Sequence, residues 1–537
     1  MSSCLLSVFL VSLDRTILAT AVPYITDAFH SIDDISWYAS AYMLTNASLQ
    51  LLYGKIYQLF PAKPVLLCAI VLFEIGSAVC GSAPSSLTLI IGRAIAGAGS
   101  GGVMGGVMQT IVILIPLHKR PVYNAMFSAL FAISSVVGPL IGGALTEKLS
   151  WRWCFYINLP CGAVSIVAVL LLMKAHGQAK PPVTARELWN KLDLLGLVLF
   201  IPSISSLIIA LQWGVDYQWS DGRVIALLVV FGVTLIAWMA VQAWKKDNAT
   251  VPPRIFFQRT IAAGFAYSFL LTSAIMLMIY YMPIWFQAVK GVSPVTSGLY
   301  FLPFILSMSL SAILSGVFTQ RIGYYNPSMI ASAAVLSVGT GLATTFTTHT
   351  GSSHWAGYEF LCGFGGGMAM QQAGLAAQAV LPLPDVPIGI ALMFFGQLLG
   401  GSVFLAVAQS VFTQQLVKRA SGIAGLDPET IINSGATELR GSVPASQLPR
   451  VLAAYNGALT DTWYVAVALS SAALIPTLCM EWKSIKGLKR GRRGLGPGSN
   501  PAGKLSEKAK APPAASDTNE DGGVIRSDGR PLPDNAA

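Results

Sequence analysis

Apolar residues along this chain come in long blocks, not in the alternation of half-buried strands or the one-sided stripe of a soluble helix. A helix crosses a bilayer with about 20 mostly apolar residues, because no water there can satisfy an exposed backbone group. Fourteen stretches meet that demand, near 4–25, 38–60, 64–83, 87–115, 122–146, 154–174, 193–213, 223–243, 261–286, 297–319, 327–346, 355–381, 386–413 and 462–480. Short turns separate most of them. A polar segment, 414–461, precedes the last stretch, and a polar tail follows it.

Composition agrees. Of 537 residues 54% are apolar and 11% charged, against about 25% charged in a soluble domain. Mean hydropathy is +0.63. A soluble multidomain enzyme is excluded, and an all-α integral membrane protein is predicted. The seven cysteines form no CxxC pair and are odd in number, so neither a disulfide framework nor a metal site is expected. The net charge of +10 would suggest nucleic acid in a soluble protein. Here the placement of charge matters more, and no nucleic-acid partner is expected.

With the N-terminus in the cytosol, 24 Lys and Arg fall on the inward side, 8 fall outside, and Arg15 and Arg93 lie within spans. That asymmetry predicts both termini in the cytosol. The first stretch reads as a span, not a cleaved signal, because Asp14 and Arg15 interrupt it and no small-residue cleavage site follows. In the tail, Lys486, Lys489, Arg490, Arg492 and Arg493 fit a contact with lipid headgroups or a stop-transfer signal, and the remainder reads as disordered.

Few ionisable groups interrupt the spans: Asp14, Arg15, Glu74, Arg93 and Glu359. Each costs about 2.5–3.5 kcal/mol at a helix centre on insertion scales, so each needs a role or a partner. Asp14 and Arg93, on different helices, suit a pair that opens when a proton or substrate arrives, or a static pair that fixes packing. Glu74 and Glu359 fit proton-coupling acids and protonated packing residues equally well. Arg15 faces about 100° away from Asp14 on the helix.

Residues 97–102, GAGSGG, formally satisfy GxGxxG, but they lie inside an apolar run without the strand and helix opening a dinucleotide site needs. Close helix packing is the better reading. GPLIGG at 138–143 places Pro139, which should kink its helix, between Gly138 and the pair Gly142 and Gly143. A weak repeat links Gly54-Lys-Ile-Tyr-Gln58, after the second span, with Gly316-Val-Phe-Thr-Gln320-Arg321-Ile-Gly323, after the tenth, 262 residues on. Parallel six-helix repeats mark the major facilitator fold. This offset leaves two additional helices between the halves. The predicted organisation is a six-helix bundle over 1–192, two linker helices over 193–260, a second six-helix bundle over 261–480 that includes segment 414–461, and the tail 481–537.

At these residues the chain resembles the fourteen-span drug:proton antiporters of the major facilitator superfamily, most of all fungal pumps for toxins and secondary metabolites. LDRTILATAVPYI at 13–25 is similar to the first-helix motif around an acid, here Asp14. GRAIAGAGSGG at 92–102 resembles the fourth-helix motif whose arginine, here Arg93, is linked to proton coupling. GPLIGG is similar to the antiporter signature, with Ser134 where a glycine usually begins it. WRWCFYINLP at 151–160, LQWGVDYQW at 211–219 and YYMPIWFQAVKGVSP at 280–294 also resemble the fungal branch. Gln58 and Leu59 stand where the first-loop motif usually has Asp and Arg, and Pro61 where it has Gly. Gln320 takes the acidic place in the second copy, while Arg321 and Gly323 are kept. The gate between halves is therefore expected to use other contacts.

The resemblance implies a monomeric secondary transporter of the plasma or vacuolar membrane. It would export small amphipathic compounds in exchange for protons by alternating access, powered by the proton gradient without a cofactor. Tyr280, Tyr281, Trp285 and Gln287, with Gln371, Gln372 and Gln378, are candidates for the cavity wall. The tyrosines also fit an interfacial belt, and the glutamines fit interhelical hydrogen bonding. An importer or facilitator, for example of iron chelates, shares such a fold, as would a sensor without flux. An enzyme is not expected: the five histidines are scattered in loops, and no HExxH or GxSxG elbow occurs.

Overall fold

The computed structural model describes residues 2–30, 34–173, 191–217, 219–421, 443–444 and 446–486. The predicted helix start at Asp427-Pro428-Glu429 and the tail beyond Lys486 lie outside the described residues. Within them every regular element is a helix, as expected where only a helix satisfies all of its own backbone groups.

The first half holds α1 (Ser2–Phe29), α2 (Ile35–Leu59), α3 (Ala62–Gly81), α4 (Ser86–Leu114), α5 (Arg120–Lys148), and a short α6 (Trp153–Tyr156) leading into α7 (Asn158–Leu172). Next come α8 (Leu194–Asp216) and α9 (Gly222–Lys245). The second half holds α10 (Arg259–Ala288), α11 (Leu302–Ile322), α12 (Asn326–Ala343), α13 (Ser352–Ala369), α14 (Gln372–Val380), α15 (Val386–Ala420), α16 (Leu448–Ala472) and α17 (Leu474–Cys479). Ten helical stretches are long and apolar enough to cross a membrane, or eleven with the bent α1 counted as one. Falling short are α2, α12 and the α13–α14 pair. They carry buried polar residues that lower hydropathy without meeting lipid: Asn46 and Gln50, Ser328 and Ser332, Glu359 and Gln372.

The sharp bend falls in α1, where Ser3–Leu18 and Thr20–Phe29 meet at 57°. Pro23 accounts for it, because a proline ring crowds the carbonyl four residues back, at Ala19. Pro139, where the sequence predicted a kink, lies within the single helix α5.

Packing repeats between the halves. α2 lies on α4, α3 on α4 and α7, and α1 on α5 and α7. In the same order α11 lies on α13, α12 on α13 and α16, and α10 on α15 and α16. The bundles meet through two equivalent pairs, α2 on α15 and α5 on α11. α8 touches both α2 and α15, while α9 packs on α8 and turns nearly all its apolar surface outward. Asp193 joins this pair to the following loop. Its carboxylate accepts from Gly196 N, Gln242 Nε2, Thr250 N and Thr250 Oγ1 at 2.7–3.0 Å, and pairs with Lys245 at 2.9 Å.

The last long helix begins at Leu448, not near 462, and α15 continues to Ala420. Hydropathy missed the first turns of α16 because Asn456 and Asp461 dilute it. Tertiary contacts satisfy both: Asn456 accepts from Trp285 Nε1 at 2.7 Å, and Asp461 pairs with Arg419 at 2.8 Å.

Candidate functional site

Five helices of the first bundle converge on one buried ion pair. Asp14 of α1 is fully buried, and its Oδ2 accepts from Arg93 Nη1 of α4 at 2.7 Å. The other oxygen accepts from Asn158 Nδ2 of α7 at 3.0 Å, and Asn158 also donates to Ser77 Oγ of α3 at 3.2 Å. Arg93 Nε donates to the carbonyl of Tyr38 on α2 at 3.0 Å, and its guanidinium lies 4.5 Å from the Tyr42 ring centre. A charge pair this dry holds only with further hydrogen bonds to support it, and here the Tyr38 carbonyl and the Asn158 amide supply one to each partner.

Glycines let the helices come close enough. A Cβ on Gly97 would stand 2.2 Å from the Tyr42 carbonyl, and one on Gly99 2.4 Å from the Phe73 nitrogen. GAGSGG is therefore the seam of α4 against α2 and α3. Gly138 and Gly142 serve α5 likewise, 2.1 Å and 2.2 Å from the hydroxyls of Thr16 and Thr20 by the same measure, while Gly143 faces open space.

Glu74 of α3 lies within electrostatic reach of Asp14 and against Gly162 of α7, with neither carboxylate oxygen hydrogen bonded. Glu359 of α13 is fully buried in the other bundle, also without a hydrogen bond to either oxygen. The four candidate coupling residues thus divide into a cluster of three and a separate acid.

The candidate cavity residues are split in the same way. Gln371 and Gln378 line a pocket with Met108, Met370, Gly374, Ile390, Met393, Phe394 and Gln397, where α13 breaks into α14. Gln372 turns away to donate to Ser315 Oγ at 2.9 Å. Tyr280 is half-exposed, while Tyr281 is buried and donates to Gln409 Oε1 at 3.0 Å. Trp285 is fully buried between Asn456 and Phe346, its ring centre 4.6 Å from that of Phe346, and Gln287 lies 3.5 Å from Ser297 Oγ.

The bundles close on each other at the face that carries the basic loops. A Cβ on Gly54 would meet Ala391 at 2.6 Å, and one on Gly316 would meet the Pro121 carbonyl at 2.7 Å. The two glycines of the sequence repeat therefore occupy equivalent places, one in each pair of helices that joins the bundles. Gln58 Nε2 donates to Asp385 Oδ1 at 3.1 Å, and Arg120 Nη1 to Gln378 Oε1 at 3.1 Å. Arg254 forks onto both oxygens of Asp385, at 2.7 and 3.2 Å, and also reaches Asp247. Donating to those two carboxylates holds the Arg254 guanidinium above its ordinary range, so this latch keeps its cation throughout the physiological pH range. In the second repeat, Gly323 ends α11 in the left-handed region at φ +91°, where its carbonyl accepts from Ile485 N, and Arg321 is exposed.

Sequence reasoning did not single out Asn158, Ser77, Arg254 or Asp385. Asp385 carried a signal: an acid just ahead of Val386-Pro387, where a helix N-terminus favours negative charge. It supplies from the second bundle the charge that Gln58 lacks. Asp385→Asn should slow solute transport several-fold, and Arg254→Gln should slow it as well. The double variant should be slower by less than the sum of the two single effects, measured as initial rates per surface molecule, since both changes open the Arg254–Asp385 contact while Gln58 and Asp247 tie each residue to one further partner.

Two pseudo-equivalent helical bundles with helices long and apolar enough to span a membrane, a charge pair buried in one and close-packed glycines where they meet, are the architecture of a membrane transporter. The chain belongs to the major facilitator superfamily, which its residues 4–405 match. It is 50% identical over 490 residues to the MFS-type efflux pump MFS1 of Arthroderma benhamiae, covering 90% of this chain and 91% of that one. It is 46% identical over 486 residues to the rubrofusarin-specific efflux pump aurT of Gibberella zeae, covering 90% and 89%. In fold it resembles the proton:xylose symporter XylE at a TM-score of 0.58 and 12% identity, over 90% of this chain and 97% of that one.

Proposed function

We propose that this transporter exports small amphipathic organic compounds in exchange for protons, with its halves rocking about a site between them. The observation that carries the coupling is the buried Asp14–Arg93 pair with Glu74 beside it. Protonation of Asp14 removes the charge that holds Arg93. The pair then loosens, and the five helices joined through it are free to shift against one another. Glu74 is the next acceptor along that path. Glu359, alone in the second bundle, is a separate proton site.

Closure at the basic-loop face supports alternating access, because the same contacts must part for cargo to enter from that side. The excess of Lys and Arg on that face supports a cytosolic position for it and for both termini. The sequence likeness to fungal efflux pumps supports outward transport of small organic molecules; in this proposal the pump is a monomer of the plasma membrane that draws on the proton gradient without a cofactor.

The test is export of a panel of fluorescent hydrophobic compounds from cells that express the chain, with and without collapse of the proton gradient. Export should stop when the gradient collapses. Export that continues at the same rate would overturn proton coupling, and gradient-dependent accumulation would favour the importer.

A further inference from the structure

Arg15 follows Asp14 in α1 but has a different environment. Asp14 gives both oxygens to Arg93 and Asn158. Among the described residues no hydrogen bond or ion pair holds the Arg15 guanidinium. It lies 6.0 Å from the centre of the Phe131 ring on α5, within electrostatic reach of Tyr42 on α2. These are the two helices through which the first bundle meets the second. Arg15 is only partly buried and lies at the depth of the buried pair, and its neighbours on α2 and α5 set it on the side of α1 between the two helices that meet the second bundle.

A guanidinium within a membrane segment is costly unless something answers its charge. The other carboxylates in the spans do not: Asp14 is committed, Glu74 lies against Gly162 of α7, and Glu359 lies on α13 beside Cys362. We propose that Arg15 is the docking point for the cargo, and that the cargo class is the aromatic organic anion. A carboxylate or ionised phenol takes the planar fork of the guanidinium, which matches two oxygens at once. The cargo ring packs on Phe131, as aromatic pairs do at offset or edge-to-face geometry. The inference rests on the exporter reading and names what that exporter carries.

The test uses the purified full chain and two dyes with the same xanthene ring and opposite charge, fluorescein and rhodamine 6G. Fluorescein should bind, and Arg15→Gln should weaken it about ten-fold or more, the scale of a lost charged hydrogen bond. Arg15→Lys should keep a substantial part of the affinity, which separates loss of charge from misfolding. Rhodamine 6G should bind at least ten-fold more weakly than fluorescein and be indifferent to Arg15→Gln. No fluorescein binding, equal binding of both dyes, or fluorescein binding unchanged in Arg15→Gln would each overturn the proposal. Arg15-dependent binding without export from proteoliposomes would leave the anion site standing and overturn the exporter reading instead.

Discussion

Asp14→Asn is expected to abolish gradient-driven export altogether and to lower thermal stability as well. The asparagine keeps an oxygen that can accept from Asn158 or from Arg93, but it carries no charge and takes no proton at physiological pH. Arg93, 2% exposed, is left as a buried cation without its counter-charge. Removing one partner of such a pair typically costs about 3–5 kcal/mol. The double variant Asp14→Asn/Arg93→Met removes both charges and should recover most of the lost stability, because replacing a whole buried pair by apolar groups is often close to neutral. It should recover none of the export. Thermal unfolding and vesicle export on the three proteins check this. Full gradient-driven export by Asp14→Asn would sink the proton-coupling role.

Gly54→Ala should reduce export ten-fold or more, and Ala391→Gly should restore it. The added methyl meets the Ala391 Cβ at 2.6 Å, while its next contacts, the Pro387 carbonyl and Ile388 Cα, lie at 3.2 and 3.3 Å. Overpacking at such a contact costs about 1–3 kcal/mol. It falls only on the state in which this face is closed, so it shifts the balance of states by about ten-fold for each 1.4 kcal/mol. The repeat predicts a contrast. Gly316→Ala meets the Pro121 carbonyl at 2.7 Å as well as the Ala125 Cβ at 2.9 Å. Ala125→Gly removes only the second obstacle, so its rescue should be partial. Equal rescue at both places, or none at Gly54, would contradict the role assigned to these contacts.

The candidate site was legible where chemistry left an isolated mark. Asp14 and Arg93 stand out because charge is rare in apolar blocks, and the structure joins them at 2.7 Å. Asn158 and Ser77 leave no such mark: polar but uncharged, they resemble many other span residues until Asn158 is found bridging Asp14 and Ser77. The weak repeat around Gly54 and Gly316 was visible as spacing, but its meaning was not, since the partners Ala391 and Pro121 lie far away in the chain. Aromatic and amide side chains were the least legible. Gln371 and Gln378 line a common pocket, whereas Trp285 is locked against Asn456, and no local pattern distinguishes those fates.

By itself the sequence determined that this chain is a helical membrane protein with its basic loops on one side and two related halves. Those properties follow from the length of apolar blocks, the cost of charge in lipid and the recurrence of a motif, all local or countable along the chain. Tertiary structure alone decided which polar groups meet: that Asp385 answers Gln58 from the opposite bundle, that Asn456 turns a dilute stretch into the start of α16, and that Arg15 lies over Phe131 with no ion pair among the described residues. The reason is physical. Inside a membrane a polar side chain is stable only with a partner, and that partner can lie hundreds of residues away, where sequence order carries no record of the distance.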